Sequence, residues 1–250
     1  MSSPWRRFTA RAHYGAGQAA RIVWYTGHYI AGRAFLKDGG VAALGPAERT
    51  RIRDSFRALF ADDLASIESG EYKMPASLRR PPSLAAAAAA SLDYLSDARA
   101  VGARRARHGH SEVLSAAARA RYPRYYLQNF HYQSDGWLSA ESAARYDMQV
   151  ETLFTGAGDA MRRRALPAIR RALGGRDPAT ARLVDLGCGD GGFLAAIRDN
   201  WPSLRLDGVD LSPAYLARAR VALAGGRGVA LREAAVEATG LGDAAFDVAT

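Results

Sequence analysis

Residues 184–194, Val-Asp-Leu-Gly-Cys-Gly-Asp-Gly-Gly-Phe-Leu, constrain this chain more than any other stretch. They read as a buried strand, a glycine turn and the start of a helix. Residues 181–186 are apolar apart from Arg182 and Asp185. Gly187, Gly189, Gly191 and Gly192 then allow close backbone approach and positive φ. Phe193, Leu194 and Ile197 continue at helical spacing. Strand, glycine loop and helix in this order present backbone N–H groups to a small molecule at the carboxyl end of a strand. Two cofactor classes compete for such a loop. Gly187, Gly189 and Gly192 satisfy the dinucleotide pattern G-x-G-x-x-G, whereas Asp185, Gly187, Gly189 and Gly191 satisfy an acidic-x-G-x-G-x-G pattern.

The flanks carry the decision. Asp185 precedes the first glycine by two residues, near the strand end, and a carboxylate there suits a cationic cofactor better than a pyrophosphate. A second strand follows over residues 204–211, with Asp210 near its end. An acid there can accept both ribose hydroxyls of an adenosyl group, a role common to both cofactor classes. Ser212 and Pro213 read as the N-cap and first residue of the next helix.

With Asp185, the glycines, Val209 to Pro213 and the later Phe246-Asp247-Val248, the stretch resembles the class I S-adenosylmethionine-dependent methyltransferases. The resemblance covers residues 181–250, with weaker similarity upstream to about Tyr122. It implies S-adenosyl-L-methionine as cofactor, held by Asp185, Gly187, Gly189, Gly191, Asp210 and Leu211. In that family an acid at the end of the third strand often bonds the adenine amino group. Here the position is Ala235, with Glu237 the nearest following acid, so backbone groups of Ala235 and Val236 are expected to serve instead. Helices before the first strand commonly cover the cofactor in this family. That makes Tyr146 and Asp147 lid candidates, and His131 and Tyr146 the candidates for a catalytic role, His131 as a general base. The expected function is methyl transfer to an acceptor that the residues do not identify. A nicotinamide-dependent oxidoreductase and a non-catalytic cofactor-binding or interaction module are the alternatives.

The fold expected is α/β: an N-terminal helical region followed by the first half of a Rossmann-like methyltransferase sheet. Residues 1–120 form a basic helical region, 121–180 aromatic-rich helices next to the cofactor site, and 181–250 the cofactor domain. A third strand is expected over residues 229–236 and a fourth from Phe246. A class I sheet has seven strands, so the domain is expected to be incomplete over these residues, with residual cofactor recognition and little turnover.

Net charge is +9, and it is uneven. Residues 1–120 carry 18 Lys and Arg against 10 Asp and Glu, and residues 121–250 carry 16 against 15. The basic part could face nucleic acid, an anionic surface or an acidic partner; a solvated helical surface is the simpler expectation. Cys188 is the single cysteine, which excludes an internal disulfide, and no Cys/His cluster has zinc spacing. No apolar run approaches the ~20 residues a membrane span needs. A cytoplasmic location is expected, with an organelle transit peptide the alternative for the acid-poor, Arg-rich start.

Upstream, residues 18–35 read as a helix whose broad stripe of Ile22, Val23, Tyr25, Tyr29, Ile30 and Ala34 packs into a core. Pro46 opens a helix with Ile52, Phe56, Leu59, Phe60, Leu64 and Ile67 on its inner face, ending near Gly70. Residues 84–100 read as an Ala-rich helix, followed by a basic loop with Arg104, Arg105, Arg107, His108 and His110. Tyr122, Tyr125, Tyr126, Phe130, Tyr132 and Trp137 make an aromatic cluster. Ser139 caps the next helix, which carries Tyr146, Val150, Leu153 and Phe154 on one face. A further helix, 159–173, should be kinked by Pro167.

Overall fold

The computed structural model describes residues 4–36, 45–106, 115–127 and 139–250. They fall into two compact bodies, Met1–Glu112 with Asp147–Arg164, and Val113–Tyr146 with Ala165–Thr250. Among the described residues, no helix is long and apolar enough to cross a membrane.

The first body is helical. α1 (Pro4–Leu36), α2 (Pro46–Ser69), α3 (Ala76–Arg79) and α4 (Leu84–Ala106) follow in order, and α7 (Gly158–Arg163) returns to them later in the chain. The Gly45 amide donates to Glu48 Oε2 at 2.8 Å at the start of α2, and Gly70, at φ 79°, closes it in the left-handed conformation. Its buried face is not the predicted one. Ile52 is exposed, Phe56, Leu59, Phe60, Leu64 and Ile67 are only half-buried, and Asp63 and Ser66 are buried instead. A buried carboxylate explains the rotation. Asp63 accepts from Tyr14 at 2.7 Å, from Tyr72 at 2.6 Å, and from Arg163 Nε and Nη2 at 2.9 and 2.6 Å. A desolvated charge demands this many donors, and the face that carries it must turn inward to meet them. Arg163 also lies 3.2 Å from Asp159, which accepts from Ser77 at 2.6 Å.

Three other expectations change. α1 runs from Pro4, far longer than predicted, and its stripe divides: Ile22, Tyr25 and Tyr29 turn inward while Val23, Ile30 and Ala34 face solvent. Arg104 and Arg105 belong to α4, not to a loop; Arg107, His108 and His110 lie outside the described residues. The expected helix 159–173 is two helices, α7 and α8 (Leu166–Leu173), with Pro167 in the first turn of the second. Proline needs no amide partner there, so the chain breaks rather than kinks.

The second body contains α5 (Ala116–Arg121), a short 3-10 turn (Arg124–Tyr126), the start of α6 (Ala140–Leu153), α8 and the sheet. Ser139 caps α6, accepting from the Ser142 amide at 3.0 Å. Further along α6, Ala143, Glu151 and Thr152 are buried, while Leu153 and Phe154 are exposed, contrary to the predicted stripe. The ion pair of Arg21 with Glu151 at 2.8 Å, within the first body, sets that side inward.

Four parallel strands are ordered β3-β2-β1-β4: β1 (Arg182–Leu186), β2 (Arg205–Asp210), β3 (Val229–Glu233) and β4 (Val248–Ala249). Parallel neighbours require crossovers. α9 (Gly192–Asn200) connects β1 to β2, and α10 (Pro213–Ala222) connects β2 to β3. Leu183, Leu194, Ile197, Leu206, Val209 and Leu216 are buried between these layers. β3 ends three residues earlier than predicted, and residues 236–238 form a 3-10 turn. Gly208 is required by packing: a Cβ there would lie 2.7 Å from Leu231 and 2.8 Å from both Cys188 Sγ and Leu194 Cδ1. Four parallel strands in this order are the Rossmann-like arrangement expected. The chain order reverses at β1, and the carboxyl ends of strands at such a point are where open α/β sheets hold ligands.

Candidate functional site

The loop after β1 turns back onto β2. Gly187 and Gly189 adopt φ of 82° and 54°, conformations that favour glycine. The amides of Gly187 and Cys188 both donate to the Val209 carbonyl, at 2.7 and 2.9 Å. The Gly189 amide donates to Asp210 Oδ2 at 2.9 Å. The Gly191 amide donates to the Cys188 carbonyl at 3.0 Å, and the Gly192 amide to Asp190 Oδ1 at 3.1 Å. These five amides are therefore satisfied within the protein, contrary to the expectation that the loop presents free N–H groups. A pyrophosphate needs such donors; a cofactor without phosphate does not.

Asp210 is fixed from both sides. Its second oxygen accepts from the Ser212 amide at 2.8 Å, and Ser212 Oγ in turn accepts from the Tyr215 amide at 3.3 Å as the cap of α10. Asp185, buried near the end of β1, accepts from Thr250 Oγ1 at 3.1 Å. Burial raises the pKa of both acids above the ordinary 3.8; hydrogen bonds to each oppose the shift, and the charge of Asp210 adds to that of Asp185. Two partly desolvated carboxylates of one sign form a site that a cation relieves.

A recess of about 190 Å³ opens at this point, lined by Tyr126, Tyr146, Gly187, Gly189, Asp210 and Tyr215. Tyr146 and Tyr215 meet edge to face, with ring centroids 5.3 Å apart. The Tyr126 hydroxyl bonds Ser212, and burial raises its pKa. Two links hold the preceding segment to the end of β3: Arg121 to Glu233 at 2.6 Å, and the Tyr125 hydroxyl to Glu237 at 2.9 Å.

Of the residues singled out from sequence, Gly187, Gly189, Asp210 and Tyr146 come together around the recess. Asp185 does not line it and bonds Thr250 instead. Gly191 caps α9 at φ 78°, and a Cβ on it would lie 2.9 Å from that of Ala219, so it admits α10. Leu211 and Ala235 are half-buried and Val236 is exposed. Asp147 is exposed and bonds Arg162 within the first body. His131, with Phe130, Tyr132 and Trp137, lies outside the described residues. Tyr215 was not among the predicted site residues. Its signal was its place in the first turn of the helix after Asp210, three residues beyond the cap. Cys188 is buried beneath the loop, and burial pushes its thiol up to about 12. Among the described residues, no group of three His, Cys, Asp or Glu side chains is placed to hold a metal ion.

A parallel four-stranded sheet with a recess where its order reverses is the arrangement of a Rossmann-like domain. Residues 183–250 match the family model of the methyltransferase domain. The trans-aconitate 2-methyltransferases of Escherichia coli O1:K1 and of E. coli K12 strain DH10B are 49% identical over 41 residues, 16% of this chain and 16% of each relative. The matched segment thus spans about one sixth of those relatives. The solved structure of CalO1, a methyltransferase in calicheamicin biosynthesis in its SAH-bound form, is 19% identical, with 92% of this chain and 64% of that chain covered and a TM-score of 0.27. Residues 183–250 are thus a methyltransferase domain, the family that the glycine loop and its flanking acids resemble.

Proposed function

We propose that this chain binds S-adenosylmethionine in the recess at the end of β1 and transfers its methyl group to a nucleophilic acceptor. The observation that carries this reading is the loop itself. Five of its amides are spent on Val209, Asp210 and the loop's own groups, while the buried Asp185 and the half-buried Asp210 lie at the ends of its two strands. Such a site rejects a pyrophosphate and favours a cation.

The residues divide the work. Asp210 accepts from the ribose hydroxyls with the lone pairs left by its two amide bonds. Asp185 holds the loop and complements the methionine ammonium. Gly187 and Gly189 leave room for the cofactor backbone, and Leu211, Ala235 and Val236 border the adenine, the last two through backbone groups. Gly191 keeps α10 close, so that Tyr215 reaches the recess. The faces of Tyr126, Tyr146 and Tyr215 attract a sulfonium. Bound S-adenosylmethionine supplies an electrophilic methyl group, and the protein contributes chiefly by holding an acceptor in line with it. With its pKa raised, the Tyr126 hydroxyl stays protonated at neutral pH and donates rather than removing a proton.

Calorimetry on the full chain tests this. S-adenosylmethionine and S-adenosylhomocysteine should bind, and NAD should not compete. Binding of NAD without either would overturn the proposal. The acceptor class is then found by following labelled methyl groups into small molecules, protein or RNA.

A further inference from the structure

α1 packs one side against its own body. Tyr14, Gln18 and Gly32 are buried there, and Ile22, Tyr25 and Tyr29 are half-buried. The opposite side carries Trp5, Phe8, Ala12, Ala16, Ala19, Val23, Ile30 and Ala34, spaced by threes and fours apart from one gap of seven spanning Gly27. That spacing makes a single stripe along the helix. It is uncovered: Trp5 is 72% exposed, Phe8 63%, Val23 74% and Ile30 65%. No charged residue lies on it, and α1 contains no acid. Monomeric proteins seldom leave a contiguous apolar strip of this length in water.

We propose that this face pairs with the same face of a second copy, antiparallel, about a two-fold axis between Ala19 and Ala20. In that register every large side chain meets a small one or fills an end. Trp5 lies opposite Ala34, Val23 opposite Ala16, Ala12 opposite Gly27, and Ile30 opposite Thr9 beside Phe8. An isologous interface requires such reciprocity, because residue i meets j and j meets i. A parallel pair would instead set Trp5 on Trp5 and alanine on alanine, which closely packed helices do not accommodate. The helix is about 50 Å long and about 10 Å across. Two copies joined along it bury about 1,000 Å², the level at which stable interfaces begin. A lipid surface fits less well. Interfacial helices set free basic side chains beside their apolar face. Among the α1 arginines whose side chains are described, Arg11 pairs with Glu68, Arg21 with Glu151, and Arg33 lies over the Tyr29 ring at 5.8 Å.

Sedimentation of the full chain across micromolar concentrations should show a reversible dimer. Val23→Glu and Ala16→Glu should each raise its dissociation constant at least about thirtyfold, since each forces a charge into the seam. Both should retain wild-type helicity by circular dichroism, because these positions are exposed on their own copy. Under oxidation Ala19→Cys, next to the axis, should cross-link, and Trp5→Cys, far from its symmetry mate, should not. A monomer at every concentration would overturn the proposal, as would a dimer indifferent to both glutamates. Equal cross-linking of the two cysteine variants would overturn the antiparallel register. A monomer that sediments only with phosphatidylglycerol vesicles would assign the face to lipid and overturn the proposal too.

Discussion

The amide of Gly189 donates to Oδ2 of Asp210 at 2.9 Å, joining the loop after the first strand to the acid that ends the second. The carboxylate proposed to hold the cofactor ribose is therefore also the group that fixes the loop's conformation. Asp210→Ala should weaken S-adenosylmethionine binding by about 1.5–3 kcal/mol, the range for a hydrogen bond to a charged group. Hydrogen exchange at Gly189 should rise in the same variant. An unchanged calorimetric affinity would remove Asp210 from the site.

Burial holds Asp185 and Asp210 above the ordinary aspartate value of 3.8. Each therefore takes up a proton at higher pH in the folded chain than in the unfolded one. By linkage, their contribution to stability is fully present below 3.8 and is lost as pH rises through the folded values. A cationic cofactor acts in the opposite sense, because it favours the ionised acids. Its affinity should rise with pH across that window and level off above it. Thermal shifts measured with and without S-adenosylmethionine, from about pH 4 to 8, would show the ligand effect shrinking towards acid. A ligand effect flat across the range would place the cofactor away from both carboxylates.

Gly208→Ala should destabilise the second body by about 1–3 kcal/mol, the usual cost of overpacking a core. The added methyl group meets Leu231, Cys188 and Leu194 at under 3 Å. Hydrogen exchange of β1 and β2 amides in the full chain reads this locally. Protection equal to wild type would mean that the sheet yields more readily than its packing implies.

Asp63→Ala should cost the first body about 3–5 kcal/mol, because it leaves the Arg163 guanidinium buried without its main partner. The double variant Asp63→Leu with Arg163→Met should recover part of that loss. Thermal unfolding of the three variants checks the order. A double variant no better than the single would show that Tyr14 and Tyr72 need the carboxylate independently.

Cys188, buried and with its thiol pushed up to about 12, should resist a thiol reagent at neutral pH until the chain unfolds. Rapid labelling of the native protein would show that the loop opens.

The cofactor half was legible because its signals are local. Glycines at fixed spacing from two strand-ending acids allow few other folds, and the strands, the Ser212 cap and the positions of Gly187, Gly189 and Asp210 followed from them. Tyr215 was missed because its one signal, a place in the first turn after Asp210, does not tell that its ring meets Tyr146. The amides that the glycine loop keeps for itself were equally hidden, since their partner is the Val209 carbonyl on another strand. In the helical body, periodicity misled. Apolar spacing in α2 pointed to Ile52 and Phe56, but Asp63 sets the inward face, and its partners Tyr14, Tyr72 and Arg163 are scattered through the chain.

That scattering has a consequence in time. Asp63 and Arg163 are 100 residues apart. At the usual pace of synthesis, ~5–20 residues per second, the carboxylate exists for roughly 5–20 s before its guanidinium partner is made. The tyrosines at 14 and 72 are ready long before. The first body therefore cannot close when its first 112 residues have been translated. It must wait, with a charge meant for its interior, until the chain has made α6 and come back with α7.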